Sequence, residues 1–182
     1  GTATVTATQD ALDENDETVI VDIDNVTNGT ENGTQQVTTT ITDDDAAPIA
    51  SINDVIIAEG GNLIFTVSLN TESELSVSVD FTTNDGTALT SDNDYTTSTG
   101  TLLFAAGEIS KTITVSTTAD TKYEANETIT VSLSNQTNAT ISDGSGTGTM
   151  SNNDALPSLS ISDETIAEGG NLIFTVTKSN ES

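Results

Sequence analysis

Residues 57–67 read IAEGGNLIFTV, and the same eleven residues return at 166–176, a displacement of 109 positions. Within the first copy and just beyond it, Leu63, Phe65, Val67 and Leu69 fall at every second position. A period of two sends successive side chains to opposite faces of an extended chain, so this block reads as a β-strand with one buried face. The residues upstream of the block repeat as well: ITDDDAAP at 41–48 becomes MSNNDALP at 150–157. A period of 109 residues is too long for one helical solenoid unit and matches a small domain, so the chain reads as a tandem domain array.

The same alternation recurs outward from the block. Leu75, Val77, Val79 and Phe81 form one run, and Ile109, Ile113 and Val115 another, with Lys111 as its one break. Ile129, Val131 and Leu133 form a third, matched in the earlier copy by Val19, Val21 and Ile23. Turn signals separate the runs at Asp85-Gly86, Ala106-Gly107, residues 135–138 and Asp143-Gly144. No stretch has the pattern of a capped amphipathic helix. The fold class expected is all-β, as tandem immunoglobulin-like β-sandwich domains. Residues 1–45 read as the C-terminal part of one repeat, 46–154 as a complete repeat and 155–182 as the N-terminal part of the next. The outer pieces lack the middle strands, so the sequence is expected to be a window onto a longer protein. Joints as short as Asp45-Ala46-Ala47-Pro48 favour an elongated, stiffly joined array.

Composition narrows the function classes. The 182 residues carry 29 Asp and Glu against Lys111, Lys122 and Lys178, with no Arg and no His, for a net charge of -26. Such a charge argues against nucleic acid or an anionic membrane as partner, and it repels itself in the compact state unless cations relieve it. The absence of Cys excludes disulfides and thiolate-metal chemistry. Small domains without disulfides need another staple, and a divalent metal is the obvious one. No apolar run approaches transmembrane length. Without His, Cys or a serine-nucleophile motif, and without an aromatic platform beside the paired carboxylates, no catalysis is expected.

Acidic residues gather where strands should end. Glu59 precedes a strand, Asp92 and Asp94 lie in Ser-Asp-Asn-Asp-Tyr, Asp120 precedes Glu124 and Glu127, and Asp154 follows Asn152 and Asn153. The earlier copy has Asp10, Asp13, Glu14, Asp16 and Glu17, then Asp43, Asp44 and Asp45. Hard divalent cations take six to eight oxygen ligands, mostly carboxylate and carbonyl. Three consecutive Asp in a strand would point to alternating faces, and Glu124 and Glu127 would do the same. Convergence on an ion therefore requires loop geometry at one pole of the sandwich. The alternative is that these acids are solvated turn residues, for which Asp and Asn are well suited.

The ordered series Val79-Asp80-Phe81-Thr82-Thr83, Asp85-Gly86-Thr87-Ala88, Asp94-Tyr95, residues 100–104, Gly107-Glu108, residues 111–115, Glu124-Ala125-Asn126-Glu127 and residues 131–134 resembles the Calx-beta domain. The resemblance spans the full repeat, and the two outer pieces match its tail and head. It implies an immunoglobulin-like module of the kind found in sodium/calcium exchangers, integrin β4 and bacterial surface proteins. It also implies calcium ligands by position: Glu59, Asp94, Asp120, Glu124 and Asp154 in the full repeat, with Glu127 in a supporting contact. In the earlier copy they are Asp10, Glu14, Asp43, Asp44 and Asp45, and in the last piece Glu168. Ala119, Thr121, Asn152 and Asn153 stand where high-affinity members carry acids. The full repeat is thus expected to hold one or two ions weakly, and the joint at 43–45 to bind better than that at 152–154.

These readings predict a calcium-stiffened segment of a large bacterial cell-surface adhesin or extracellular filament. The expected cofactor is Ca2+ and the expected partners are neighbouring repeats of the same chain, then lateral copies or other surface proteins. A passive, calcium-independent spacer is the first alternative. A repeat that itself grips a glycan or protein is the second, and it is disfavoured by a chain with two Tyr and four Phe.

Overall fold

The computed structural model describes residues 1–180. The described residues are all-β apart from a single 3-10 turn at Thr90–Asp92. Thirteen strands follow in order: β1 Glu17–Asp22, β2 Gln36–Ile41, β3 Ile49–Ile52, β4 Val55–Ala58, β5 Asn62–Leu69, β6 Val77–Asp85, β7 Thr99–Phe104, β8 Ser110–Ser116, β9 Glu127–Thr137, β10 Thr140–Asp143, β11 Ser145–Ser151, β12 Leu159–Ile161 and β13 Val176–Lys178. No helix among the described residues is long and apolar enough to cross a membrane.

Strands β3 to β11 build a sandwich of two sheets, a four-stranded one in the order β10-β3-β5-β8 and a five-stranded one in the order β4-β11-β9-β6-β7. The alternation read in the sequence is what fills it. Leu63, Phe65 and Val67 of β5, with Ile113 and Val115 of β8 beside them in the same sheet, face Val77 and Val79 of β6 and Ile129 and Val131 of β9 across a shared core, all at most 2% exposed. The apolar period fails at the start of β8. Ile109 is 46% exposed, and Lys111 turns to an ion pair with Glu108 at 2.7 Å, so the inward run of β8 starts at Ile113.

Asn53 and Asp54 carry the chain from one sheet to the other. The Asn53 side-chain carbonyl accepts the Thr66 N–H of β5 at 2.5 Å, while the Asp54 carboxylate accepts the Thr147 N–H of β11 at 2.6 Å. The backbone polar groups of the crossing are thus tied to both sheets. On β11, Gly148 lies directly under the core. A Cβ there would stand 2.8 Å from Leu63 Cδ1 and 2.9 Å from Phe65 Cζ, so the sheets close to this distance only over a glycine.

The turn expected at 135–138 is a correction. Strand β9 runs on to Thr137, and one extra residue is absorbed opposite β6 between the pairs Asp80–Ser134 and Ser78–Thr137. Asn135 takes the left-handed conformation at φ 49° and donates its side-chain amide to Asp80 at 3.1 Å. The Asn and Thr cluster therefore marks a β-bulge, with the reversal itself confined to the next residues, where Asn138 is again left-handed.

The outer pieces form two-stranded sheets, β1-β2 and β12-β13. Their registers match the full repeat. Glu17 pairs with Ile41 as Glu127 pairs with Met150, and Ile161 pairs with Val176 as Ile52 pairs with Val67. Among the described residues neither outer sheet has a second sheet over it, and Ile161, Phe174 and Val176, whose counterparts Ile52, Phe65 and Val67 are buried, are all more than half exposed.

Candidate metal centre

At one pole of the sandwich four loops converge: the β4–β5 turn, the segment 86–98 with its 3-10 turn, the segment 117–126, and the residues after β11. Each delivers an acid for a local reason. Glu59 opens the β4–β5 turn, which needs Gly60 at φ 80°, because a Cβ there would meet Ala119 Cβ at 2.6 Å. The equivalent Gly169 of the last piece has φ 87°, so the repeated Glu-Gly-Gly encodes one turn geometry twice. Asp94 is held by the 3-10 turn, its carboxylate accepting the Leu89 N–H at 2.7 Å. That segment is anchored in turn by Asp85, which accepts the Tyr95 hydroxyl at 2.7 Å and the Thr90 N–H at 3.2 Å. Burial and the adjoining Asp85 push the Tyr95 phenol up to about 12, while the Tyr95 and Thr90 hydrogen bonds hold the Asp85 carboxyl below its usual range.

Glu124 precedes β9 and Glu127 is its first residue, so the odd spacing is converted into convergence by the loop, as the sequence required. One carboxylate oxygen each from Glu59, Asp120 and Glu124 lie within 4.8 Å of one another, and so do one each from Asp94, Glu124 and Glu127. Glu124 belongs to both groups. Asp92 and Asn152 also line the concavity. Asn152 accepts the Glu124 N–H at 3.3 Å, and the Asn153 N–H reaches Glu59 Oε1 at 3.1 Å. The asparagines that replace acids therefore serve as struts for the acids that remain. Asp154 Oδ2 is buried with no hydrogen-bond partner.

The electrostatics are those of acceptors with too few donors. Burial, then the charges of Asp94 and Glu124, push Glu127 up to about 7. Glu59 is also raised, first by burial and then by the neighbouring Asp154 and Asp120, against a lowering hydrogen bond from Asn153. Lys122 is the one cation at the pole among the described residues: its ammonium is ion-paired with Glu124 Oε1. Its own value is raised by Glu124, Asp120 and Asp92. Without metal, Glu127 makes stability fall with pH. Its folded value of about 7 lies above the ordinary 4.5, so the native state holds a proton that the unfolded chain releases first. The contribution is complete below 4.5 and is lost as pH rises through about 7. Melting temperatures recorded in chelator should drop across that window, and Glu127→Gln should flatten the drop.

The other sequence-predicted residues are placed as follows. Asp10, Glu14, Asp43, Asp44 and Asp45 line one broader concavity together with Glu17. Asp43 to Asp45 lie beyond the end of β2, where they can converge. Asp45 is raised first by burial and then by Asp44 and Asp43. Asp16, absent from the predicted set, accepts the Asp43 N–H at 3.1 Å. Among the described residues the acids of this copy do not reach the mutual spacing found in the full repeat. Glu168 is exposed and joins no acidic group among the described residues. Sequence reasoning underweighted Glu127. The signal available was its position at a strand start, three residues after Glu124.

The Calx-beta domain family matches residues 2–45 and 54–154. No curated protein matches the chain. Among solved structures, the apo form of the Calx CBD1 domain superposes with a TM-score of 0.54 at 19% identity, covering 59% of this chain and 98% of that one. CBD12 from CALX1.2 gives 0.55 at 20% identity, covering 58% of this chain. The structure described as the calcium binding domain CBD12 of CALX1.1 gives 0.55 at 19% identity, covering 63% of this chain. The matches cover 44% and 50% of the lengths of those last two structures. At these identities the likeness is one of fold, and it agrees with the sandwich described above. The family is one of regulatory and structural domains, in keeping with a chain that is not an enzyme. The matched residues make up well over half of the sequence, and the chain belongs to the Calx-beta domain family.

Proposed function

We propose that this chain is a calcium-stiffened run of repeats from a large bacterial cell-surface adhesin or extracellular filament, extending an adhesive region carried elsewhere in the protein. Residues 46–154 are one complete repeat, 1–45 and 155–182 belong to its neighbours, and those neighbours are its first partners. The observation that carries the reading is the shared Glu124 carboxylate. It joins two groups of three acids at the pole from which the chain leaves for the next repeat. Carboxylate oxygens are the donors that a hard divalent cation prefers, and the orphaned Asp154 Oδ2 and the crowded Glu127 carboxylate are groups that such a cation would satisfy. Glu59, Asp94, Asp120, Glu124, Glu127 and Asp154 would hold it. A bound ion supplies the positive charge that the pole lacks and ties four loops and the outgoing joint together.

Lys122 already supplies one positive charge by a tether, so it competes with the metal. Its side chain is 46% exposed, so solvent screening limits the competition to roughly fivefold in Kd. Calorimetric titration of Lys122→Ala should show calcium binding tightened by that factor. Unchanged or weaker binding would remove Lys122 from the account. Leu12 stands at the corresponding place in the earlier copy and carries no such charge.

The test of stiffening is small-angle scattering and thermal unfolding of the chain in millimolar calcium and in chelator. Calcium should raise the midpoint and sharpen the long-dimension distribution, and changing Asp43, Asp44 and Asp45 to Asn should relax the first joint while leaving the full repeat responsive. Equal rigidity and stability in chelator would make the acids surface charge and the array a passive spacer. Binding of the isolated full repeat on a glycan array would instead make the repeat itself the adhesive module.

A further inference from the structure

The two repeats flanking the first joint touch away from the linker. Asp13 and Ser73 form an isolated parallel β-bridge. The Ser73 hydroxyl donates to the Asp13 carboxylate at 2.8 Å and lies 3.0 Å from its carbonyl, and the Glu74 N–H donates to that carbonyl at 3.1 Å. Ser73 Oγ in turn accepts the Leu75 N–H at 3.0 Å, and the Ser73 carbonyl accepts the Gly107 N–H at 3.0 Å. The hydroxyl is thus fully used, and it is the side-chain donor to a carboxylate removed from water: Asp13 is 8% exposed and Ser73 3%. Asp13 is the one residue before Asp45 classed as buried, so its burial is produced by the contact with the next repeat. Leu12 borders the same surface beside Ala106 and Gly107.

The turn that receives this contact, residues 70–76, joins β5 to β6 at the end of the sandwich opposite Glu59. Each repeat therefore presents an acidic-pole loop at one end and a receiving turn at the other. At the second joint the corresponding loop and turn also meet, through a different contact. Asn180, which corresponds to Thr71 through the 109-residue period, donates to the carbonyls of Thr121 at 3.4 Å and Ala155 at 2.9 Å. Thr121 lies in the loop that corresponds to 11–14.

We propose that the 11–14 loop of one repeat docks on the 70–76 turn of the next as a polar latch that fixes the angle between them without metal, and that the same two surfaces meet at successive joints. The partner this surface fits is the next copy of the repeat. The proposal rests on the tandem-repeat reading but not on calcium, and one acidic contact works against it. Docking brings Glu14 to Glu74, and burial together with the Glu74 charge raises the Glu14 carboxyl.

The chain has no cysteine, so spin labels at Thr38→Cys and Thr114→Cys, both exposed strand positions on either side of the joint, report the angle in the whole chain. In chelator the unsubstituted joint should give one narrow distance distribution. Ser73→Ala leaves the buried Asp13 carboxylate without its hydroxyl donor and should raise the undocked population about five- to tenfold, broadening the distribution. Asp13→Ala, which lies outside the complete repeat and cannot unfold it, should do the same. A distribution already broad in chelator, or one left narrow by both variants, overturns the latch. The calcium reading fails separately: a broad distribution that narrows only on adding calcium would leave that reading standing and remove the latch. A narrow distribution with no calcium effect on the melting temperature would do the reverse.

Discussion

Phe65→Ala should cost about 3–5 kcal/mol and lower the melting temperature of the full repeat by roughly 15–30 °C, since each kcal/mol moves a domain of this size by about 4–8 °C. Phe65 is 0% exposed, sits in the middle of β5 opposite Ile113, and reaches the place on β11 that only Gly148 leaves open. Truncation removes the ring from a site where the two sheets have no spare side chain to move in. The same substitution at Phe174 should change little, within about 0.5 kcal/mol, although the residues on either side are the same. Phe174 is 52% exposed here. Thermal unfolding of both variants by circular dichroism decides the matter. Equal losses would mean that the last piece has a core of its own in this chain, and a small loss at Phe65 would mean that the sandwich is wrongly assigned.

That contrast marks what the sequence could and could not say about the fold. Alternation gave Leu63, Phe65, Val67, Ile129 and Val131 as inward residues, because a period of two is a local property that burial on one face imposes. It could not distinguish Phe65 from Phe174, because burial also needs β6, β8 and β9 to be present and packed. The bulge at Asn135 was misread for a related reason. Asn and Thr in series suit a turn and suit a left-handed residue inside a strand equally well, and only the register against β6 chooses between them. The sheet switch at Asn53 and Asp54 had no signature beyond two polar residues between short apolar runs.

The site was legible as a set of residue types at repeat-equivalent places and illegible as a ranking. Glu59, Asp120 and Glu124 were named from position and do converge, as do Asp94 and Glu124. The weight of Glu127 was missed because its side chain points into the pole only if β9 starts at that residue. Asp43 to Asp45 looked the richer set by charge count. Yet among the described residues the tightest spacing is that of the full repeat, where loops from both sheets close around the acids. Charge counts are visible in a sequence, whereas mutual distance depends on which loops share a pole.

Glu124→Gln should abolish most of the calcium-dependent stabilisation of the full repeat. An ion present at about 100 times its dissociation constant adds roughly 2.7 kcal/mol per site, which corresponds to a rise of about 10–20 °C in a domain of this size. Glu124 is the one carboxylate within ligand spacing of both Glu59 with Asp120 and Asp94 with Glu127, so a single neutralisation weakens both positions at once. Asp94→Asn, which touches only the second group, should leave a partial response. The variant also frees Lys122 from its ion pair and relieves the repulsion on Glu127, so in chelator Glu124→Gln should be at least as stable as the unsubstituted chain near pH 7. A protein stabilised without metal and deaf to calcium is the signature of acids held together for an ion. If Glu124→Gln instead melts lower in chelator and still responds fully to calcium, the acids at this pole support the loops by hydrogen bonding and the metal binds elsewhere. Differential scanning calorimetry of the three proteins at matched calcium concentrations separates these results.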